Sequence, residues 1–191
     1  MHLWMMRLAK AMAVLGGLVL LSMVALVCLS IAGRAANGAL HGALGEAFPR
    51  VSKWALDFGV GPVNGDFELV ESGVAFAIFA FLPLCQITRG HASVDIFTRF
   101  LSERINRTLT MVVDCIFAAV LVLIAIQLEA GMQSKLRSGQ TTFLIQFPIW
   151  WSYAASLTGA LVAAVIAVYI AAMRIAEVVT GRALLPSEDG T

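Results

Sequence analysis

AMAVLGGLVLLSMVALVCLSIAG, residues Ala11 to Gly33, runs for 23 residues without a charge between Lys10 and Arg34. At about 1.5 Å of rise per residue, such a helix crosses a hydrocarbon core roughly 30 Å thick with some tilt. Arg7 and Lys10 ahead of it and the alanines after Arg34 imitate a signal peptide. The apolar run exceeds the about 7 to 15 residues of a signal core, so a retained anchor is expected.

Three more stretches follow the same logic: about Leu69 to Thr88, Leu109 to Leu128 and Ile149 to Met173. Together they occupy most of the 191 residues and leave no room for a separate soluble domain. With 60% apolar and only 13% charged residues, the composition lies outside the soluble range. The expected fold is all-α, a four-transmembrane-helix bundle forming one membrane domain, since there is no internal repeat, low-complexity tract or long linker.

Local chemistry marks the span ends. Asn64-Gly65-Asp66 is a turn sequence with Asp66 a candidate N-cap, and Glu68 and Glu71 follow where carboxylates favour the positive helix end. Pro148 stands just ahead of the fourth span, as proline does at a helix start. Trp150, Trp151 and Tyr153 crowd one end of that span, and Tyr169 lies nineteen residues past Trp150. That separation, roughly 28 Å of helix, matches aromatic belts at two membrane faces. An inside N-terminus places eight basic residues (Arg7, Lys10, Arg89, Arg99, Arg104, Arg107, Arg174, Arg182) in the cytoplasm and five outside, so both termini are expected inside.

The connections carry helical patterns of their own. Val94, Phe97, Leu101 and Ile105 recur at helical spacing, which predicts an amphipathic cytoplasmic helix over about 92–106 lying on the membrane surface. In the outer loop, 34–66, one apolar set (Leu40, Leu44, Phe48) precedes Pro49 and another (Val51, Trp54, Ala55, Phe58) follows it. Two short interfacial helices broken at the proline fit that pattern.

Small residues show where helices expect neighbours. Ala155, Gly159, Ala163, Ala167 and Ala171 recur at intervals of four in the last span, flanked by Ser152, Ser156, Ala160 and Ala164. Such rows allow close approach, either inside this chain's bundle or against another subunit. Ala13 and Gly17 form a shorter version in the first span.

Several functions find little material here. Net charge is +1, so no basic field points to nucleic acid. His2, His41 and His91 lie outside the spans, which leaves no axial ligands for haem. Cys28, Cys85 and Cys115 form no Cys-x-x-Cys pair and read as small apolar-span residues. No catalytic constellation, phosphate loop or zinc spacing occurs, so no enzyme and no cofactor is expected. A transporter's own substrate site needs carboxylates or broken helices near mid-membrane. Only Pro83, near the end of the second span, and Asp114, about one turn inside the third, come close. Asp114 reads as an interfacial carboxylate reaching headgroups or pairing with Arg107, with a functional intramembrane charge as the alternative.

Two motifs give these features a family. Gln86-Ile87-Thr88-Arg89-Gly90-His91-Ala92-Ser93-Val94-Asp95 resembles the signature of the small membrane subunit of tripartite ATP-independent periplasmic (TRAP) transporters, the DctQ family. Gly139-Gln140-Thr141-Thr142, then Phe147-Pro148-Ile149-Trp150 and later Gly159, resembles that family's turn into its last helix. Order, spacing and length extend the resemblance over nearly the whole chain. One departure is local: many members carry a tryptophan followed by acidic residues before the second span, where this chain has Gly65-Asp66-Phe67-Glu68.

The resemblance implies a scaffold subunit in a bacterial inner membrane. Its partners are a large membrane subunit that holds the sodium sites and moves the substrate, a periplasmic substrate-binding protein that delivers an organic acid, and lipids. Arg89, Gly90, His91, Asp95, Gly139, Thr141, Pro148, Trp150, Gly159 and Ala163 are the candidate subunit or lipid contacts. Arg89 can hold phosphates or cap helix carbonyls, Gly90 permits a sharp turn, and His91 and Asp95, four apart, can pair. A self-contained homo-oligomeric channel or exporter is the alternative from another class.

Overall fold

A computed structural model describes residues 2–88 and 103–180. Those residues are almost entirely helical: α1 (His2–His41), α2 (Ala43–Ala47), α3 (Pro49–Asp57), α4 (Asp66–Ile87), α5 (Glu103–Ser138) and α6 (Ile149–Thr180). Four of them, α1, α4, α5 and α6, are long and apolar enough to cross a membrane.

Three of these helices outrun their apolar segments. α1 is 40 residues long and continues through Arg34 to His41, so the outer loop begins eight residues later than its charge suggests. Ala35, Ala36, Ala39 and Leu40 are good helix formers, and nothing stops the helix before Gly42. α5 passes Leu128 and reaches Ser138, supported by Gln133 donating to Glu129 at 2.6 Å and Arg137 donating to Gln133 at 3.2 Å, each one turn apart. Its end is set by Gly139, whose φ of +61° suits the left-handed position that closes a helix. α6 likewise continues past Met173 to Thr180. A charge ends an apolar span but does not end a helix.

Two other expectations meet the structure at helix starts. Gly65, not Asp66, occupies the N-cap of α4, with φ +75° and no side-chain cap. The Asp66 carboxylate is taken by Ser30 of α1 and by the Phe67 N–H. The expected surface helix over 92–106 lies outside the described residues except for its last turn, which opens α5. In the outer loop, α2 and α3 meet at Phe48-Pro49, with proline in the first turn of α3.

The long helices stand side by side in the order α1, α4, α6, α5, a bundle opened into a row. α6 packs on α5 along one side and on α4 along the other, α1 packs along α4 and touches α6 only lightly, and among the described residues no packed seam joins α1 to α5. In the apolar window of α6 56% of residues are buried, against 11% to 22% in the other three, which makes α6 the central staff. Its alanines explain why. Ala163, Ala164, Ala167 and Ala171 close on Ala118 and Leu121 of α5, while Ile166 and Ile170 meet Ala9 of α1 and Leu84 and Ile87 of α4. Lipid offers helices no hydrophobic drive, so the van der Waals attraction between closely spaced backbones is what holds such a row.

The end that carries α2, α3 and the α5–α6 turn is termed the loop end; the end where α1 begins and α6 finishes is the termini end. At the loop end α1 is laced to the segment before α4: Asn37 donates to the Val60 carbonyl at 2.9 Å, and the Val63 N–H donates to Ser30 at 3.3 Å. Gly33 lies so close to the Gly61 carbonyl that a side chain there meets backbone.

Candidate functional site

The polar chemistry of the described residues sits in the seams and at the two ends. The seams come first. A Cβ at Gly159 meets the Cβ of Phe79 at 2.9 Å and its carbonyl carbon at 3.1 Å, so α4 and α6 touch backbone to backbone. One turn on, Ala163 is fully buried against α5. The row at intervals of four is therefore occupied inside this chain, and Gly159 and Ala163 are contacts of its own bundle.

In α1 the structure moves the contact by one residue. Ala9, Met12 and Gly16 are buried, and a Cβ at Gly16 meets Ala80 at 2.9 Å, whereas one at Gly17 meets nothing within 4 Å. Gly17, four residues past Ala13, therefore has open space where a side chain would stand, an ambiguity that a helix apolar on all sides cannot resolve from sequence.

At the loop end the α5–α6 connection is a closed hairpin. Thr142 donates to the Phe147 carbonyl at 2.9 Å, Ile149 donates to the Gln140 carbonyl at 3.1 Å, and Thr141 bridges to Pro148. Gly139 turns the chain out of α5, Pro148 immediately precedes α6, and Trp150 is its second residue, half-buried with its ring edge-on to Trp151 at 5.8 Å. Thr141, itself exposed, faces Gln146, whose φ of +60° is the one left-handed non-glycine among the described residues.

A residue outside the motifs locks this hairpin in place. Glu68, in the first turn of α4, accepts the Leu144 N–H at 2.7 Å and the Ile145 N–H at 3.1 Å, and Ile145 packs onto Gly65, where no Cβ fits. Gly65-Asp66-Phe67-Glu68 is thus a clasp that joins α4 to the last hairpin on one side and, through Asp66, to Ser30 of α1 on the other. Both carboxyls stand ahead of the apolar segment that starts at Leu69. The Leu144 amide, with help from its neighbours, holds Glu68 below the usual carboxylate range, and the Ser30 hydroxyl does the same for Asp66. A depressed folded pKa means the contribution is present in full above the ordinary carboxylate value and lost as pH falls through the folded one. Glu68→Gln is expected to lower the protection of the Leu144 and Ile145 amides against hydrogen exchange several-fold at neutral pH, and wild-type protein is expected to lose that protection only in acid. Unchanged exchange in the variant removes the clasp.

The termini end holds the opposite chemistry, a buried charge cluster. Arg174 of α6 is 7% exposed and Glu177, one turn on, is 3% exposed, with 2.5 Å between Nη1 and the carboxylate. Asp114 of α5 lies 3.5 Å from the Arg174 Nε, across the α5–α6 seam. Asp114 therefore pairs between helices. Arg174 and Glu177 were legible in one respect: the alanine row Ala163, Ala167, Ala171 runs straight on to Arg174 and Glu177 at helical intervals. Arg89, Gly90, His91 and Asp95 lie outside the described residues.

The three cysteines are free thiols, and among the described residues no three His, Cys, Asp or Glu side chains are grouped to hold a metal ion.

No curated protein and no solved structure matches this chain. A family model does: the DctQ component of tripartite ATP-independent periplasmic transporters matches residues 23–179 of the 191. That match begins within α1 and ends one residue short of the end of α6, so it takes in the clasp, the α4–α6 and α5–α6 seams and the charge cluster, while Ala9, Met12 and Gly16 of α1 stand ahead of it. The chain belongs to the DctQ family, the small membrane component of TRAP transporters.

Proposed function

We propose that this protein is the static scaffold subunit of a sodium-coupled transporter for organic acids, working in a bacterial inner membrane with both termini in the cytoplasm. A large membrane subunit carries the sodium sites and the moving substrate domain, and a periplasmic binding protein delivers the solute. Family membership, covering residues 23–179, is the observation that carries this reading. The architecture supports it in a particular way. Along the middle of the row the contacts are glycine, alanine, leucine and isoleucine, and the polar groups stand at the ends, where they tie helices together. A solute crossing between these helices has no polar partner at mid-height among the described residues, and burial there without one is costly.

A row also suits a brace. α1 and α5 flank it with exposed apolar surface, including Val14, Leu18 and Leu21 on α1 and Val113, Ile116 and Leu123 on α5. Such faces can meet lipid on one side and a larger subunit on the other.

The decisive measurement is sodium-driven uptake of an organic acid into proteoliposomes, with this subunit present or omitted beside the large subunit and the binding protein. Uptake is expected only with all three. Transport by this chain alone overturns the scaffold role in favour of a self-contained homo-oligomer.

A further inference from the structure

The loop-end half of the row contains a cleft of about 330 Å³ between α4, α5 and α6. Its walls change character with depth. Glu68, Glu71, Ser72 and Ser152 stand near the loop end, and Ala75, Phe79 and Leu128 lie deeper. From Glu68 to Phe79 the cleft descends about 16 Å at the helical rise. Polar at the membrane edge and apolar towards the centre, it has the profile of a lipid molecule, not of a soluble acid.

Several of its polar groups lack a partner. Glu68 is engaged by the hairpin amides, and Ser72 and Ser152 bond each other at 2.6 Å. By contrast the Glu71 carboxylate and the Tyr153 hydroxyl have no hydrogen bond or ion pair among the described residues, although both line the cleft. Ser156 is 3% exposed and lines it as well, again with no hydrogen-bond partner among the described residues. Among the described residues no basic side chain lines the cleft, so its free groups suit a cation that donates hydrogen bonds.

From this geometry we infer that the cleft binds a phospholipid bearing a primary ammonium, a phosphatidylethanolamine, from the leaflet at the loop end. The ammonium supplies three N–H donors to Glu71 and the hydroxyls around it. One acyl chain lies along Ala75, Phe79 and Leu128. A choline headgroup has no N–H to give, and an anionic glycerol headgroup meets two carboxylates. The inference requires the chain to lie in a bilayer, but does not depend on sodium coupling, on the transported solute or on the large subunit.

The test is native mass spectrometry of the delipidated full chain, with any large subunit that travels with it, titrated with dioleoyl phosphatidylethanolamine, phosphatidylcholine or phosphatidylglycerol. Ethanolamine lipid is expected to bind about tenfold more tightly than either other lipid, and Glu71→Gln to remove that preference. As a check that needs no variant, ethanolamine lipid should protect Glu71 of the wild-type chain from carbodiimide labelling while glycerol lipid does not. Equal binding of the three lipids, or a preference unchanged by Glu71→Gln, overturns the proposal. So does protection of Glu71 by the large subunit in lipid-free complex, which assigns the cleft to a basic side chain of that partner. Failure of uptake in proteoliposomes, in contrast, bears only on the scaffold reading.

Discussion

Gly159→Leu is expected to separate α4 from α6 and to give the largest loss of stability among single substitutions in the seams. Even the first added carbon meets Phe79 at 2.9 Å on its Cβ and 3.1 Å on its carbonyl carbon. Backbone cannot swing aside as a flexible side chain can, so the helices must part. Overpacking of this kind costs about 1–3 kcal/mol for small additions and more for a leucine. Against a total of about 5–15 kcal/mol that is a large fraction. Thermal unfolding of the purified chain in detergent measures it. Gly17→Leu is the matched control, since the first carbon of a side chain there meets no atom within 4 Å. Equal melting of the two variants refutes the seam. If Gly17→Leu instead leaves the isolated chain unchanged and lowers recovery of the large subunit, then that face of α1 is the one the partner covers.

Arg174→Ala is expected to be nearly as severe, for an electrostatic reason. The guanidinium stands between Asp114 on α5 and Glu177 on its own helix, at 7% exposure. Removing the cation leaves two carboxylates in a poorly solvated place, a change that typically costs about 3–5 kcal/mol. Lysine is not an adequate replacement, because a single ammonium cannot direct separate nitrogens to two carboxylates. The triple variant Asp114→Asn, Arg174→Met, Glu177→Gln removes the charges together and is expected to recover most of the loss. Arg137→Ala, an exposed arginine at the end of α5, should cost no more than a few tenths of a kcal/mol. Unfolding midpoints of the three variants decide the matter: equal effects for Arg174→Ala and Arg137→Ala eliminate the cluster as a fastener.

The clasp and the cluster tie the row at opposite ends through different chemistry. At the loop end a carboxylate captures backbone amides, which holds a hairpin in one orientation. At the termini end paired charges cross a helix seam. Between them the seam is alanine and glycine, which permits close packing but specifies register weakly. Fixed polar pairs at both ends supply the register that a uniform apolar seam lacks.

Sequence alone reaches the number of spans, the all-helical class, the hairpin from Gly139 to Pro148 and the family. Each rests on properties local in the chain: a run of apolar residues, a glycine at a helix end, a proline before one, and a motif in order. It also marks the last helix as the packing helix, because five small residues at intervals of four have few other uses. What it misses is set by partners distant in sequence. Glu68 reads as a dipole-favouring carboxylate, whereas the amides it accepts lie 76 and 77 residues away. Asp114 reads as a partner for Arg107 on its own helix, where spacing is visible, but its pairing with Arg174 across the seam on another is not legible in that spacing. In a helix apolar on every side, as α1 is, the sequence cannot say which stripe faces a neighbour, and only packing chose Gly16 over Gly17. Hydropathy and turn chemistry act through the bond geometry of adjacent residues, so the sequence by itself determined the helices and, where Gly139 and Pro148 stand, two of their ends. The order of the row, the clasp and the buried charges depend on which surfaces meet, and that was decided by the tertiary structure.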